Sequence, residues 1–254
     1  MAVRYPPRPP RRRSGAGAVA VLGLVGLLVV AVLFGLSRLA VDDELDRRPR
    51  GDALAPADVR RDTPVPQPAP LAAGTDLVTW ADAVSDRSGV PARALRAYAA
   101  AELDQRAATP DCRLSWVTLA GIGRVESDHG RFGRSEIDAD GVARPSIVGV
   151  PLDGSAGVRE IRDTDGGRLD GDAEYDRAVG PMQFLPATWA RYGTGDPNQI
   201  DEAARAAARY LCDDGRDTAS GTGWWDGVLT YNRSAEYARL VWAAADRYTT
   251  TSPP

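Results

Sequence analysis

Trp116–Val117–Thr118–Leu119–Ala120–Gly121–Ile122–Gly123–Arg124–Val125–Glu126–Ser127–Asp128–His129–Gly130 decides how the rest of the chain is read. Apolar residues recur at Val117, Leu119, Ala120, Ile122 and Val125, the spacing of a helix with a wide buried stripe. Gly130 suits the left-handed position that ends a helix, so the helix is expected to stop near it. Glu126 then falls in the last turn, beside an apolar face. Burial disfavours its charged form, and the negative end of the helix dipole repels it. Both effects raise its pKa, and a carboxyl that keeps its proton near neutral pH is what a general acid needs. Helix position alone also describes a capping or solvated glutamate.

The chain has 254 residues, room for one or two domains, with 43% hydrophobic and 26% charged residues, ordinary for a globular protein. It contains no lysine, so every fixed cation is arginine. The formal net charge of −4 is unevenly spread. Arg4, Arg8, Arg11, Arg12 and Arg13 crowd the start, whereas from Asp76 onward 20 arginines face 28 acids, a net of −8. An acidic domain argues against nucleic acid as a partner, because phosphate binding needs a basic face.

The spacing predicts five segments. Residues 1–14 are an Arg- and Pro-rich tail without the apolar content to fold. Residues 15–37 carry no charge and are long enough to cross ~30 Å of hydrocarbon. The arginine cluster before them places the amino terminus in the cytoplasm and the rest of the chain outside the membrane. A cleaved signal peptide is the alternative, but its apolar region is only ~7–15 residues, and Phe34–Gly35–Leu36–Ser37–Arg38 is a poor cleavage site. Residues 38–75 read as a Pro-rich linker holding the domain that follows clear of the bilayer. Residues 76–249 form that domain and 250–254 a tail.

Within the domain, helices are expected from Leu77 to Gly89, from Pro91 to about Arg106, over the Glu126 stretch, over Pro181–Tyr192 and over Asp201–Cys212. Thr222–Asn232 and Ala235–Asp246 read as two more helices, or as one broken at Asn232–Ser234. Residues 133–176 lose periodicity and read as a long ordered loop, with short strands at Ser146–Val150 and Val158–Ile161. The domain is therefore mainly α, without βαβ alternation. Cys112 and Cys212 are the only cysteines, and outside the membrane such a pair reads as a disulfide. It would close a loop worth up to ~4.7 kcal/mol of chain entropy.

His129 is the sole histidine, which argues against a zinc site. Asp163–Thr164–Asp165–Gly166–Gly167–Arg168–Leu169–Asp170–Gly171–Asp172 is rich in carboxylates, but Gly167 and Arg168 break the calcium-loop template, so it reads as a turn-rich solvated loop. No metal and no cofactor are expected.

Two further stretches give Glu126 its meaning: Ala178–Val179–Gly180–Pro181–Met182–Gln183–Phe184–Leu185–Pro186–Ala187–Thr188–Trp189, and Leu229–Thr230–Tyr231–Asn232. With Gly123–Arg124–Val125–Glu126–Ser127–Asp128–His129–Gly130, these resemble, in order and spacing, the lytic transglycosylases of bacterial cell walls. The likeness is to the family of membrane-bound lytic transglycosylase B and covers about Asp76 to Tyr248. Thr230 stands where that family more often has alanine, and His129 where an aromatic is common.

The resemblance implies a lysozyme-like catalytic domain with a long irregular loop insert, acting on peptidoglycan glycan strands. It implies Glu126 as the acid that protonates the glycosidic oxygen and then acts as base, while the substrate's own C6 hydroxyl attacks to give a 1,6-anhydro sugar. Effective molarities of ~10⁵ M or more let such a hydroxyl outcompete water. By motif match, Ser127 would orient Glu126 or the sugar, and Gln183 would present its amide to the substrate. Met182 and Phe184 would form an apolar subsite wall, Tyr231 would hydrogen-bond Glu126, and Asn232 would support its loop. For Met182 and Phe184 core packing stands as an equal reading, for Trp116 and Trp189 it is preferred, and Trp224 and Trp225 fit either core or sugar stacking. Two other functions remain at this stage: a lysozyme-type hydrolase using Asp138 or Asp140 as second carboxylate, and a catalytically weak peptidoglycan-binding scaffold. Cell-wall synthesis or division proteins are expected as partners in the scaffold reading.

Overall fold

The computed structural model describes residues 54–155 and 159–251. The expected tail 1–14, anchor 15–37, first part of the linker and the last three residues lie outside the described residues. Among the described residues no helix is long and apolar enough to cross a membrane. These residues fold into seven α-helices and one two-stranded sheet.

Helix α1, Leu77–Ser88, starts where the Asp76 carboxylate accepts the Val78 and Thr79 N–H groups, and it ends at left-handed Gly89. Helix α2, Ala92–Ala108, follows Pro91 and buries Ala94, Leu95, Tyr98 and Ala101. Helix α3, Trp116–Ser127, is the central element, buried nearly all round over its first two turns. Two glycines let its neighbours touch its backbone. A Cβ on Gly121 would come within 2.8 Å of the Val241 carbonyl oxygen, and one on Gly123 would meet the Tyr98 hydroxyl at 2.1 Å.

Helix α3 stops at Ser127, three residues before the expected Gly130. Asp128, His129 and Gly130 all take left-handed φ values of 51°, 60° and 86°. The Ser127 hydroxyl fixes this reversal by accepting the Gly130 N–H at 2.8 Å and donating to the Pro181 carbonyl at 2.6 Å. Arg124 and Arg131 hold the Asp128 carboxylate.

The described residues of 133–176 are arranged differently from expectation. Its regular sheet is a hairpin that the sequence did not reveal, β1 (Glu136–Ile137) against β2 (Ala143–Arg144). The expected Ser146–Val150 strand is reduced to a single bridge from Val148 to Val179, flanked by backbone bonds Gly149 to Ala178 and Gly180 to Ile147. Of the expected Val158–Ile161 strand, Ile161 bonds to Leu152 and Asp176, and Val158 lies outside the described residues. Asp163, Asp165, Asp170 and Asp172 spend their carboxylates on backbone N–H groups of their own turns.

Helix α4, Pro186–Tyr192, begins five residues later than expected. Val179 and Phe184 exchange backbone hydrogen bonds at 2.9 Å each, so Gly180–Gln183 must turn, with φ of 80° at Gly180 and 49° at Gln183. Pro186 then opens the helix at its first position. Helices α5, Ile200–Leu211, α6, Gly221–Tyr231, and α7, Ala235–Thr249, complete the fold. Asn232 breaks α6 from α7, and Ser234 caps α7. Cys112 and Cys212 are bridged, joining the approach to α3 to the end of α5.

The second half of the expected linker is not free chain. Residues 54–75 have no helix or strand but lie as a strap on the domain, with Val65 and Leu71 buried in its core. The folded region therefore begins before Asp76.

Candidate active site

Glu126 sits in the last turn of α3 and is half-buried. Burial pushes its carboxyl up to about 7, and a hydrogen bond from the Tyr237 hydroxyl to Oε1, 2.5 Å long, pulls the other way. Near neutral pH it is thus close to half protonated, able to give a proton and to take one back. No second carboxylate among the described residues contributes to this shift.

Tyr237 was not foreseen. It lies three residues after the cap Ser234, whose side chain accepts the Tyr237 N–H, and this cap turns it toward Glu126 in the first turn of α7. Tyr231, expected on Glu126, instead donates to the Met182 carbonyl at 2.8 Å. It remains close enough for the Glu126 charge, after burial, to raise its own phenol. Tyr237 is raised by the same two causes.

The remaining expected residues divide. Ser127 is fully buried and ties α3 to the Gly180–Pro181 turn, so it bonds neither Glu126 nor an open surface. Met182 is fully buried and packs in the core, not in a subsite wall. Phe184 is also buried, its ring 5.5 Å from Tyr231 and 5.4 Å from Trp189, yet it borders a cavity. Gln183 borders that cavity too, and its Nε2 donates to Gly180 at 3.0 Å and Ala178 at 3.4 Å. Asn232 is exposed at the cavity, with Oδ1 accepting the Ser234 N–H at 3.1 Å. Trp116 and Trp189 are buried. Trp224 and Trp225 are core residues whose indole N–H groups reach Thr118 Oγ1 and the Thr63 carbonyl.

The cavity measures about 620 Å³, the size of a ligand site. Its lining includes Gln183 and Phe184 from the Gly180 turn, Tyr231, Asn232 and Arg233 from the α6–α7 junction, and Leu152, Arg159 and Ile161. Two arginines and no acid line it, in a domain that is acidic overall. Tyr231, which lines it, feels the charge of Glu126. Tyr210 and Tyr231 line it with ring centroids 5.6 Å apart, and Tyr192 stacks on Tyr210 at 4.7 Å. A smaller cavity of about 110 Å³ lies beside Asp128, His129 and Arg131. There His129 is buried between Tyr98 and Tyr248, its nitrogens 3.2 and 3.0 Å from their hydroxyls, and burial holds it neutral.

Asp138 is committed elsewhere, at 2.7 Å from Arg144 and accepting the Val142 N–H at 2.9 Å. Asp140 offers its carbonyl to Arg93 and Gln199.

Compared with family models, curated proteins and solved structures, the chain matches none. Fold and site by themselves define, among the described residues, a mainly helical, disulfide-bridged domain in which the raised Glu126 carboxyl acts on Tyr231, one of the residues lining a cavity that holds two arginines and no acid.

Proposed function

We propose that this chain is a membrane-anchored lytic transglycosylase with a lysozyme-like catalytic domain, cleaving the β-1,4 bond between N-acetylmuramic acid and N-acetylglucosamine outside the cytoplasmic membrane. The observation that carries the reading is Glu126: a desolvated carboxyl near pKa 7, held by Tyr237 and acting electrostatically on Tyr231, which lines the cavity. Glu126 protonates the bridging oxygen as the glycosidic bond breaks. The C6 hydroxyl of the same sugar then attacks the anomeric carbon, and the Glu126 carboxylate takes the hydroxyl proton. The acid is regenerated and no water is consumed. A retaining hydrolase with two carboxylates would need a partner ~5–5.5 Å away. Asp138 is paired with Arg144, so nothing observed favours that mechanism. The arginine-lined cavity suits a glycan whose lactyl and peptide arms carry carboxylates.

The test is digestion of purified sacculi by the full chain and by Glu126→Gln. Acid–base groups contribute ~10²–10⁴-fold, so release of soluble muropeptides should fall by that factor in the variant. Equal release by both proteins would exclude Glu126 as the acid, and release by neither would favour the scaffold reading.

A further inference from the structure

The strap reaches α7 directly at one end and α3 through Glu102 of α2 at the other. At its carboxyl end, Glu102 on α2 receives two backbone donors at once. Oε1 accepts the Leu71 N–H at 3.1 Å, and Oε2 accepts the Trp116 N–H, the first of α3, at 2.8 Å. Ser115 gives α3 no side-chain cap, so Glu102 takes that place. Arg106 completes the clasp, 3.2 Å from Oε1 and donating to the Leu71 carbonyl at 2.7 Å. Glu102 is buried; desolvation raises its carboxyl, and these three partners counter part of that.

At its amino end the strap meets α7. The Ala57 N–H donates to the Arg239 carbonyl at 3.2 Å, and Arg239 Nε donates to the Val59 carbonyl at 3.1 Å. Arg239 stands two residues after Tyr237 on the same helix. Between these ends, the Trp225 indole donates to the Thr63 carbonyl, and Thr249 donates to that of Pro66. A Cβ on Gly221 would fall 1.8 Å from the Asp62 oxygen, so α6 starts on a surface bare enough to seat the strap.

We propose that Glu102 and Arg239 are positioning residues which, through the strap, hold the start of α3 and the first turns of α7 in the register that brings Tyr237 onto Glu126. Glu126 is faced by Tyr237 from α7 and Tyr231 from α6, both neutral phenols. Loosening α3 against α7 admits water to the carboxyl. The functional consequence rests on Glu126 being the acid, but the positioning itself does not.

The experiment uses the full chain with ¹³C-labelled glutamate and follows the Glu126 carboxyl by NMR titration, alongside limited proteolysis of residues 54–71. Two variants are compared with the parent, Glu102→Gln, which leaves one of the two donors facing an amide N–H, and Arg239→Ala on the half-exposed face of α7. Release of the strap should appear as new cleavage sites. Glu126 should then titrate lower, moving from about 7 toward the ordinary glutamate range near ~4.3. A released strap with Glu126 unmoved would overturn the proposal, as would a strap still protected in both variants. If Glu102→Gln fails to fold, Arg239→Ala alone decides. The titration needs no turnover, so its failure is distinct from failure of the transglycosylase reading.

Discussion

Replacing Glu126 by glutamine should remove a stability loss that the parent suffers as pH rises, while disabling the proposed chemistry. Folding raises this carboxyl from 4.5 to about 7. A group whose folded pKa lies above its unfolded value binds more protons in the folded state between the two. Its contribution to stability is complete below about 4.5 and is lost as pH rises through about 7. At ~1.36 kcal/mol per pH unit the full difference is an upper bound of ~3 kcal/mol. Glu126 keeps part of its surface open, so solvent screening reduces this to ~1–2 kcal/mol. Glutamine does not titrate, and its carbonyl oxygen can still accept from Tyr237. Urea denaturation of both proteins at about pH 5 and about pH 8.5 isolates the effect, because any fixed penalty of the amide cancels between the two conditions. The stability of Glu126→Gln relative to the parent should improve by ~1–2 kcal/mol on going to the higher pH. An unchanged difference would mean that folding does not desolvate Glu126.

Tyr237→Phe removes the donor that favours the ionised acid, so the Glu126 pKa should climb above about 7. Charged hydrogen bonds are worth ~1.5–3 kcal/mol, so the rise should be ~1 unit or more. A carboxyl NMR titration reads it directly, and Tyr231→Phe, which loses only its bond to Met182, should move it less. Reducing the Cys112–Cys212 bridge, which closes a sequence separation of 100 residues, should lower unfolding stability by ~2–5 kcal/mol in denaturation with and without reductant. Equal midpoints would show that the bridge adds nothing to stability.

What could be read in the sequence was whatever repeats locally. The apolar stripe of α3 placed Glu126 in its last turn, and the caps at Asp76 and Gly89 and the break at Asn232–Ser234 are local signals. Pairings across the chain were not legible. Tyr237 reaches Glu126 over 111 residues, and no periodicity distinguishes it from Tyr231. Ser127 and Met182 sit in functional-looking strings, yet the left-handed turns after α3 and at Gly180 direct them into the interior. The strap looks like free linker in sequence because it is proline-rich, its only buried apolar side chains are Val65 and Leu71, and its other anchors are backbone groups that carry no sequence signal. The surface that receives it is assembled from α2, α6 and α7, which are far apart in sequence.

The central claim is that a proton moves through Glu126 and no water enters the product. Digesting sacculi with the purified chain in H₂¹⁸O and weighing the muropeptides tests it most directly. Transglycosylation should give fragments one water lighter than hydrolysis gives, without ¹⁸O and resistant to borohydride. Reducible ends carrying ¹⁸O would contradict it and make water the nucleophile.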